Sequence, residues 1–321
     1  MQNQYSKKYI IDTGIGLQDV DHLQNSAYYS KESDKYIRGE ISLDELNDRI
    51  RTYYKKKQDV EERTEEADKV AVRISKLISE DAFTFSVGQL LSIHKYLFDG
   101  IFENAGKIRA YNFTKNEWVL NNESVTYGDY RQLKEILQYD FESEKYFDYK
   151  SLSMDEVITH LAVFIANLWQ SHVFEEGNTR TTAVFVIKYL RSLGFDVSID
   201  LFAKNAWYFR NALVRANYSN IQKGIYEDRS YLILFLRNLL FNEKHVLLNK
   251  ELLITNKLVL QPDSNEIRIQ KLMQQNPHIK LDDIAAELQI SVRTVKSIVE
   301  QLKQEKRIER IGGKKYGYWK T

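Results

Sequence analysis

The sequence predicts an all-α chain, and three observations carry that prediction. Only two of the 321 residues are proline, Pro262 and Pro277, both in the last quarter. Glycine is also sparse, at 13 residues. Between these breakers, Leu, Ile and Tyr recur among Lys and Glu at spacings of three and four, the signature of helices with one buried face.

The elements follow in order. Residues 1–60 read as an N-terminal helical segment in which Ser42 and Glu45 form a capping box. Glu62 to Ile78 sets Val70, Val72, Ile74, Leu77 and Ile78 among charges, a surface helix. Ser86 to Phe98 repeats the pattern and stops at Gly100. Lys107 to Leu120, rich in Tyr, Phe, Trp and Val, is the best strand or hairpin candidate. Ser153 and Glu156 form a second capping box. It opens a helix to about Gln170 whose Leu161 to Ala166 are apolar on every side, so this helix is expected at a bundle's centre. A further helix runs from about Thr179 to Leu193 and ends at Gly194, a good left-handed cap.

Composition narrows function. Hydrophobic residues make up 43% and charged residues 28%, ordinary for a globular chain, and the length suits about two domains. Cysteine is absent, which removes disulfide scaffolds, thiolate metal sites and cysteine nucleophiles. A reducing, cytoplasmic setting is expected. The longest apolar stretches, Leu161 to Trp169 and Tyr231 to Phe241, fall short of the about 18 residues of a membrane span, so no membrane partner is expected. The formal charge of +1 hides an asymmetry. Residues 263–321 hold 12 Lys+Arg against 8 Asp+Glu, a net of +4, which leaves −3 for the rest.

The most informative stretch is Ser171 to Arg180. An apolar helix ends, and a short loop delivers His172, Glu176, Gly177 and Asn178 before a second helix begins. Asn178 suits an N-cap, and Gly177 lets a ligand approach the backbone. The helix N-terminus favours an anion, and Arg180 adds a fixed cation. A carboxylate beside a phosphate site suggests Mg²⁺, which takes one carboxylate plus phosphate oxygens, and Glu176 is the candidate. His172 is the nearby group whose ordinary pKa suits general-base work.

His172, Phe174, Glu176, Gly177, Asn178 and Arg180 fill the pattern H-x-F-x-[DE]-G-N-x-R, and this resembles the signature of the Fic family. The resemblance implies a Fic-type helical bundle over residues 61–255, with a small β-hairpin flap. It implies transfer of AMP from ATP, with Mg²⁺, onto a Tyr, Thr or Ser hydroxyl of a protein target, the protein itself included. In that reading His172 takes the hydroxyl proton and Glu176 holds Mg²⁺. Gly177, Asn178 and Thr179 cradle the phosphates, Arg180 neutralises the leaving pyrophosphate, and Phe174 anchors the loop. Phe113, Thr114, Lys115 and Trp118 resemble the flap that docks the target by strand addition. Asn211 and Asn217 lie where family members line the adenine pocket.

Three positions depart from the pattern: Val173 stands for the usual proline, Thr179 for a small residue or Lys, and Ala183 for the second arginine of R-x-x-R. The family's inhibitory motif, [ST]-x-x-x-E-[GN], has no match in the chain. Lock and latch are thus missing together, and an enzyme without the usual inhibitory-glutamate control is expected. Ala183→Arg is expected to tighten ATP binding.

Asn256 to Ser264 reads as a linker, and residues 263–321 as three helices and a hairpin. Ser291 caps the third helix, and Arg307 to Trp319 alternates around Gly312-Gly313. This resembles a winged helix-turn-helix. Such a module places Arg293, Thr294 and Lys296 in a major groove and Lys314 and Lys315 on phosphates, so DNA is a candidate partner. A protein-docking or dimerisation role, homodimers included, is the other reading. His94, His160 and His245 read as core or rim residues. Two functions remain: an AMP transferase, or a DNA-binding transcriptional regulator whose degenerate Fic-like domain senses a nucleotide.

Overall fold

The computed structural model describes residues 6–57, 63–254, 265–288, 290–305, 307–312 and 317–320. They form two compact units, within 1–255 and 256–321.

The first unit is mainly helical. α1 (Lys7–Gly16), α2 (Ala27–Ile37) and α3 (Leu43–Lys56) precede α4 (Thr64–Ser79) and α5 (Val87–Phe98). The Ser42–Glu45 capping box forms as expected, and Ser86 caps α5. α1 lies against α4 and, later in the chain, α9 (Asp200–Ala216). Glycine permits that approach: a Cβ at Gly16 would lie 2.4 Å from the Ala203 backbone.

α6 (Leu133–Lys145), α7 (Met154–Ser171) and α8 (Asn178–Ser192) build the centre, with α9 and α10 (Ser230–Phe241) beside α7; the short α11 (Asn249–Leu252) follows. The Ser153–Glu156 box starts α7. α8, not α7, is the deepest helix, with every residue from Asn178 to Leu190 buried. Several of its polar side chains find internal partners, which makes that depth tolerable, although the Thr181 hydroxyl has none among the described residues. Lys188 donates to the carbonyls of Leu77 and Glu80. Thr179 accepts from the Trp169 indole at 3.0 Å. The buried Glu144 carboxylate pins α6 to α7 and α8 by accepting from the Tyr149 and Tyr189 hydroxyls and meeting His160 at 2.6 Å.

The expected hairpin over Lys107 to Leu120 is absent. The segment runs irregularly, with one isolated bridge between Glu117 and Glu123 and a 3₁₀ turn at Trp118–Leu120. Its polar groups are spent on the rest of the unit: Arg109 on the α7 terminus, Lys115 on Glu176, and Glu117 on Arg210.

The second unit contains α12 (Asn265–Gln275), α13 (Leu281–Leu288) and α14 (Val292–Gln304), followed by β1 (Glu309–Ile311) antiparallel to β2 (Tyr318–Lys320). Its own core includes Ile269, Met273, Ile284, Val295, Leu302 and Trp319. Ser291 caps α14 as expected.

Candidate functional site

The site gathers at the junction of α7 and α8. His172 terminates α7 in the left-handed region, with φ +47°, and Gly177 does the same before α8, with φ +76°. Between them Phe174 turns into the core and stacks on His94, ring centroids 3.7 Å apart. His94 receives the Gly106 N–H on Nδ1 at 2.8 Å, so its proton sits on Nε2 and is donated to the Glu176 carbonyl at 3.0 Å. Burial drops the His94 pKa to about 4, and the ring is neutral.

The His172 imidazole is enclosed, at 4% exposure. Tyr127 stacks on it at 3.9 Å, while Trp169 and Phe113 meet it edge-on at 5.3 and 5.6 Å. Neither ring nitrogen has a hydrogen-bond partner among the described residues. Burial, then the nearby Lys115, Arg210 and Arg109 cations, lower its pKa well below the usual histidine value. It is therefore a neutral imidazole with lone-pair capacity to spare, the form a base requires.

Glu176 is half-exposed and ion-pairs with Lys115 at 2.8 Å. That ammonium meets one carboxylate oxygen, Oε2. Asn178 is the first residue of α8 and not its cap, which is Gly177. Its amide turns back instead, accepting from the Phe174 N–H and donating to the Phe174 carbonyl at 2.9 and 2.7 Å, and so clasps the loop.

Arg180 does not face open solvent. It is fully buried, paired with Glu66 at 2.6 Å and Asp21 at 2.8 Å, and donates to Gln18 at 3.0 Å. Burial pushes Asp21 up, but the Arg180, Lys115, Arg210 and Arg63 charges together pull it further down, so the carboxylate stays ionised. Although the sequence lacks the inhibitory motif, the arginine that remains is thus already held by carboxylates. Ala183 has no exposed surface and packs in the core. An arginine there would have to displace core side chains before reaching any nucleotide.

Asn211 and Asn217 are buried, and their amide nitrogens are taken by the protein, whereas Asn211 Oδ1 has no partner among the described residues. Asn211 donates to Asn249, and Asn217 donates to the carbonyls of Ala166 and Leu213. In the flap region Phe113 and Lys115 reach the site, whereas Thr114 and Trp118 are exposed, Trp118 lying 6.4 Å from Trp207. His94 is the core residue the sequence suggests, although its contact with Phe174 was not foreseen, and sequence reasoning missed the roles of Tyr127, Glu117, Arg210 and Arg109. The dense aromatic and basic content of residues 107–130 was the available signal. In the second unit Arg293, Thr294 and Lys296 are exposed along the start of α14. Lys314 and Lys315 lie outside the described residues. Among the described residues no group of His, Asp and Glu is arranged to hold a metal by itself, and no helix is long and apolar enough to cross a membrane.

Gly177 supports a prediction. A Cβ there would lie 2.4 Å from the Phe98 ring, and the left-handed backbone disfavours any side chain. Gly177→Ala should cost about 1–3 kcal/mol, read from urea unfolding midpoints.

Residues 84–190 match the family model described as Fic/DOC family, and residues 262–309 match one described as winged helix-turn-helix DNA-binding. No curated protein matches the chain. Among solved structures, the chain is similar to the N-terminal FIC domain of Bep8 from Bartonella sp. 1-1C, at 16% identity over 57% of this chain and 88% of that one, TM-score 0.43. It is similar to the N-terminal Fic domain of a Bartonella effector protein from Bartonella sp. AR 15-3, at 16% identity, 60% and 90% coverage, TM-score 0.44. A Fic family protein from Desulfovibrio desulfuricans G20 aligns at 11% identity, covering 99% of this chain and 89% of that one, with TM-score 0.45.

Proposed function

With residues 84–190 a Fic/DOC family domain and residues 262–309 a winged helix-turn-helix, we propose that the chain is a nucleotidyltransferase. In this reading it moves AMP from ATP to a protein hydroxyl, and its second unit brings it to DNA. The observation that supports it most is His172: a neutral, unpartnered imidazole at the end of α7, in the intact H-x-F-x-[DE]-G-N-x-R pattern.

His172 would accept the proton of the attacking hydroxyl, a contribution of about 10²–10⁴-fold. Tyr127 and Phe113 would have to swing aside to admit that hydroxyl, and on return they exclude water. Glu176 would hold Mg²⁺, which when bound supplies neutralising charge on phosphate oxygens; a half-exposed single carboxylate suits that ion. Gly177, Asn178 and Thr179 supply the first amides of α8, with the helix dipole behind them. Arg180 can meet phosphate only in competition with Glu66 and Asp21. Control by the usual [ST]-x-x-x-E-[GN] glutamate is not part of this reading. A cytoplasmic location, where ATP and DNA are both at hand, goes with it.

The experiment is transfer of α-labelled ATP with Mg²⁺ to the protein itself and to a host lysate, beside His172→Ala. Label that disappears with the variant is the expected result. Absence of label with ATP, CTP, GTP and UTP, from folded protein that still binds nucleotide, would sink the transferase reading in favour of a nucleotide-sensing regulator. For the second unit, Arg293→Ala and Lys296→Ala should each weaken DNA binding. Each should flatten the slope of log K against log salt by about 0.9 if its side chain meets a phosphate.

A further inference from the structure

Arg109 is a buried guanidinium with no direct carboxylate ion pair among the described residues, although the charge of Asp129, itself paired with Arg131, acts on it. Its donors go to oxygen atoms from two places. On one side, Nε donates to the His172 carbonyl at 2.7 Å, Nη2 reaches the Ser171 carbonyl at 3.5 Å, and the backbone N–H donates to Val173 at 2.9 Å. The Ser171 and His172 carbonyls close α7 at the negative end of its dipole, where a cation is favoured, and Val173 follows directly. On the other side, Nη1 donates to the Tyr111 carbonyl at 2.5 Å and to Asn112 Oδ1 at 3.1 Å, and Nη2 donates to the Gly128 carbonyl.

Tyr111, Asn112 and Gly128 bracket the segment that carries Phe113 and Tyr127, the two rings over the His172 imidazole. One planar group therefore fixes the left-handed backbone of His172 and ties down both ends of its cover. We infer that Arg109 is the positioning residue for His172 and the fastener of the 111–128 segment above it. As a statement about transfer this rests on His172 being the base; as a statement about the cover it does not.

A lysine keeps the charge but has three donors on one nitrogen, which cannot reach acceptors spread around the edge of a plane from Nε to both Nη atoms as a five-donor fork does. Arg109→Lys should therefore fold, yet release the cover and loosen the imidazole. Two readouts separate the outcomes. The first is carbethoxylation of His172 by diethyl pyrocarbonate, followed by peptide mass spectrometry. The exposed His22 and His278 serve as internal references, and the buried His94 reports on folding. Labelling of His172 should rise about tenfold or more while His94 stays protected, since hydrogen bonds to a charged group are large enough for a factor of that size.

The second readout is kinetic. The kcat for AMP transfer should fall about tenfold or more, while nucleotide affinity stays within about threefold, because Arg109 touches neither Glu176 nor the α8 amides. Should Arg109→Lys fail to fold, Asn112→Ala removes a tie on the cover side alone, and His172 labelling should rise there too. Labelling equal to wild type in a folded variant overturns the inference. A wild type that transfers no nucleotide overturns the transferase reading instead, and the labelling result still decides the role of Arg109.

Discussion

Lowering the pH from 6.5 to 5 should cost the wild-type chain about 2 kcal/mol more than it costs His94→Gln. His94 titrates at about 4 in the folded protein against 6.5 for a free imidazole, with burial as the main cause. A histidine whose folded pKa is depressed binds its proton more readily in the unfolded chain. The stability it contributes is complete above 6.5 and is lost as pH falls toward about 4, where the loss reaches about 3 kcal/mol. His172 is shifted in the same direction. Asp140 works the other way, since burial pushes its carboxyl up to about 6 and acid relieves that cost, although its partial exposure screens the effect. The difference between wild type and His94→Gln cancels Asp140 and His172 and leaves His94 alone. Urea unfolding of both at pH 7.5, 6.5, 5.5 and 5 measures it. Parallel pH profiles would mean that His94 is solvated or differently hydrogen-bonded.

The cost at His94 shows what sequence reasoning could and could not reach. Local rules were legible: the Ser42 and Ser153 capping boxes, the Ser86 and Ser291 caps, and the glycine stops follow from chemistry three or four residues long. The motif was legible as a string, and Phe174 does anchor the loop. Its partners were not. Arg109 and Tyr127 lie 63 and 45 residues before His172 and meet it only through the tertiary fold, as His94, 78 residues before it, meets Phe174 and Glu176. Asn178 looked like a cap because asparagine prefers that position. Yet Gly177 already supplies the turn, and the amide is worth more across the loop. The hairpin failed for a related reason: residues 107–120 have strand-like composition, but the Arg109 N–H donates to the Val173 carbonyl and the Val119 carbonyl accepts from the Ile254 N–H, contacts distant in sequence. α8 reads as half polar and is nevertheless the deepest helix, because burial there is decided by where Glu66, Asp21 and the Leu77 carbonyl happen to lie.

Glu117→Leu should lower stability by about 3–5 kcal/mol, a drop in melting temperature of roughly 6–20 °C for a unit of this size. Glu117 is fully buried and forms a two-pronged pair with Arg210, at 2.6 and 3.1 Å, while its carboxylate also accepts from the Tyr127 hydroxyl at 3.2 Å. Burial raises the Glu117 pKa and the Arg210 charge pulls it back, so the two form a balanced buried pair. Losing the carboxylate strands a largely buried guanidinium and a buried hydroxyl, and each then bears its desolvation cost uncompensated. Arg210→Met in the same background removes the stranded charge. The double variant should therefore recover a large part of the loss, giving a coupling of about 1–3 kcal/mol in a double-mutant cycle. Additive losses would mean that water already reaches Arg210 and that the pair is worth little. Because Tyr127 lies on His172, the same cycle has a second expectation: Glu117→Leu frees the Tyr127 ring, and His172 becomes open to diethyl pyrocarbonate. That result would link the buried pair to the cover of the site by a route independent of Arg109.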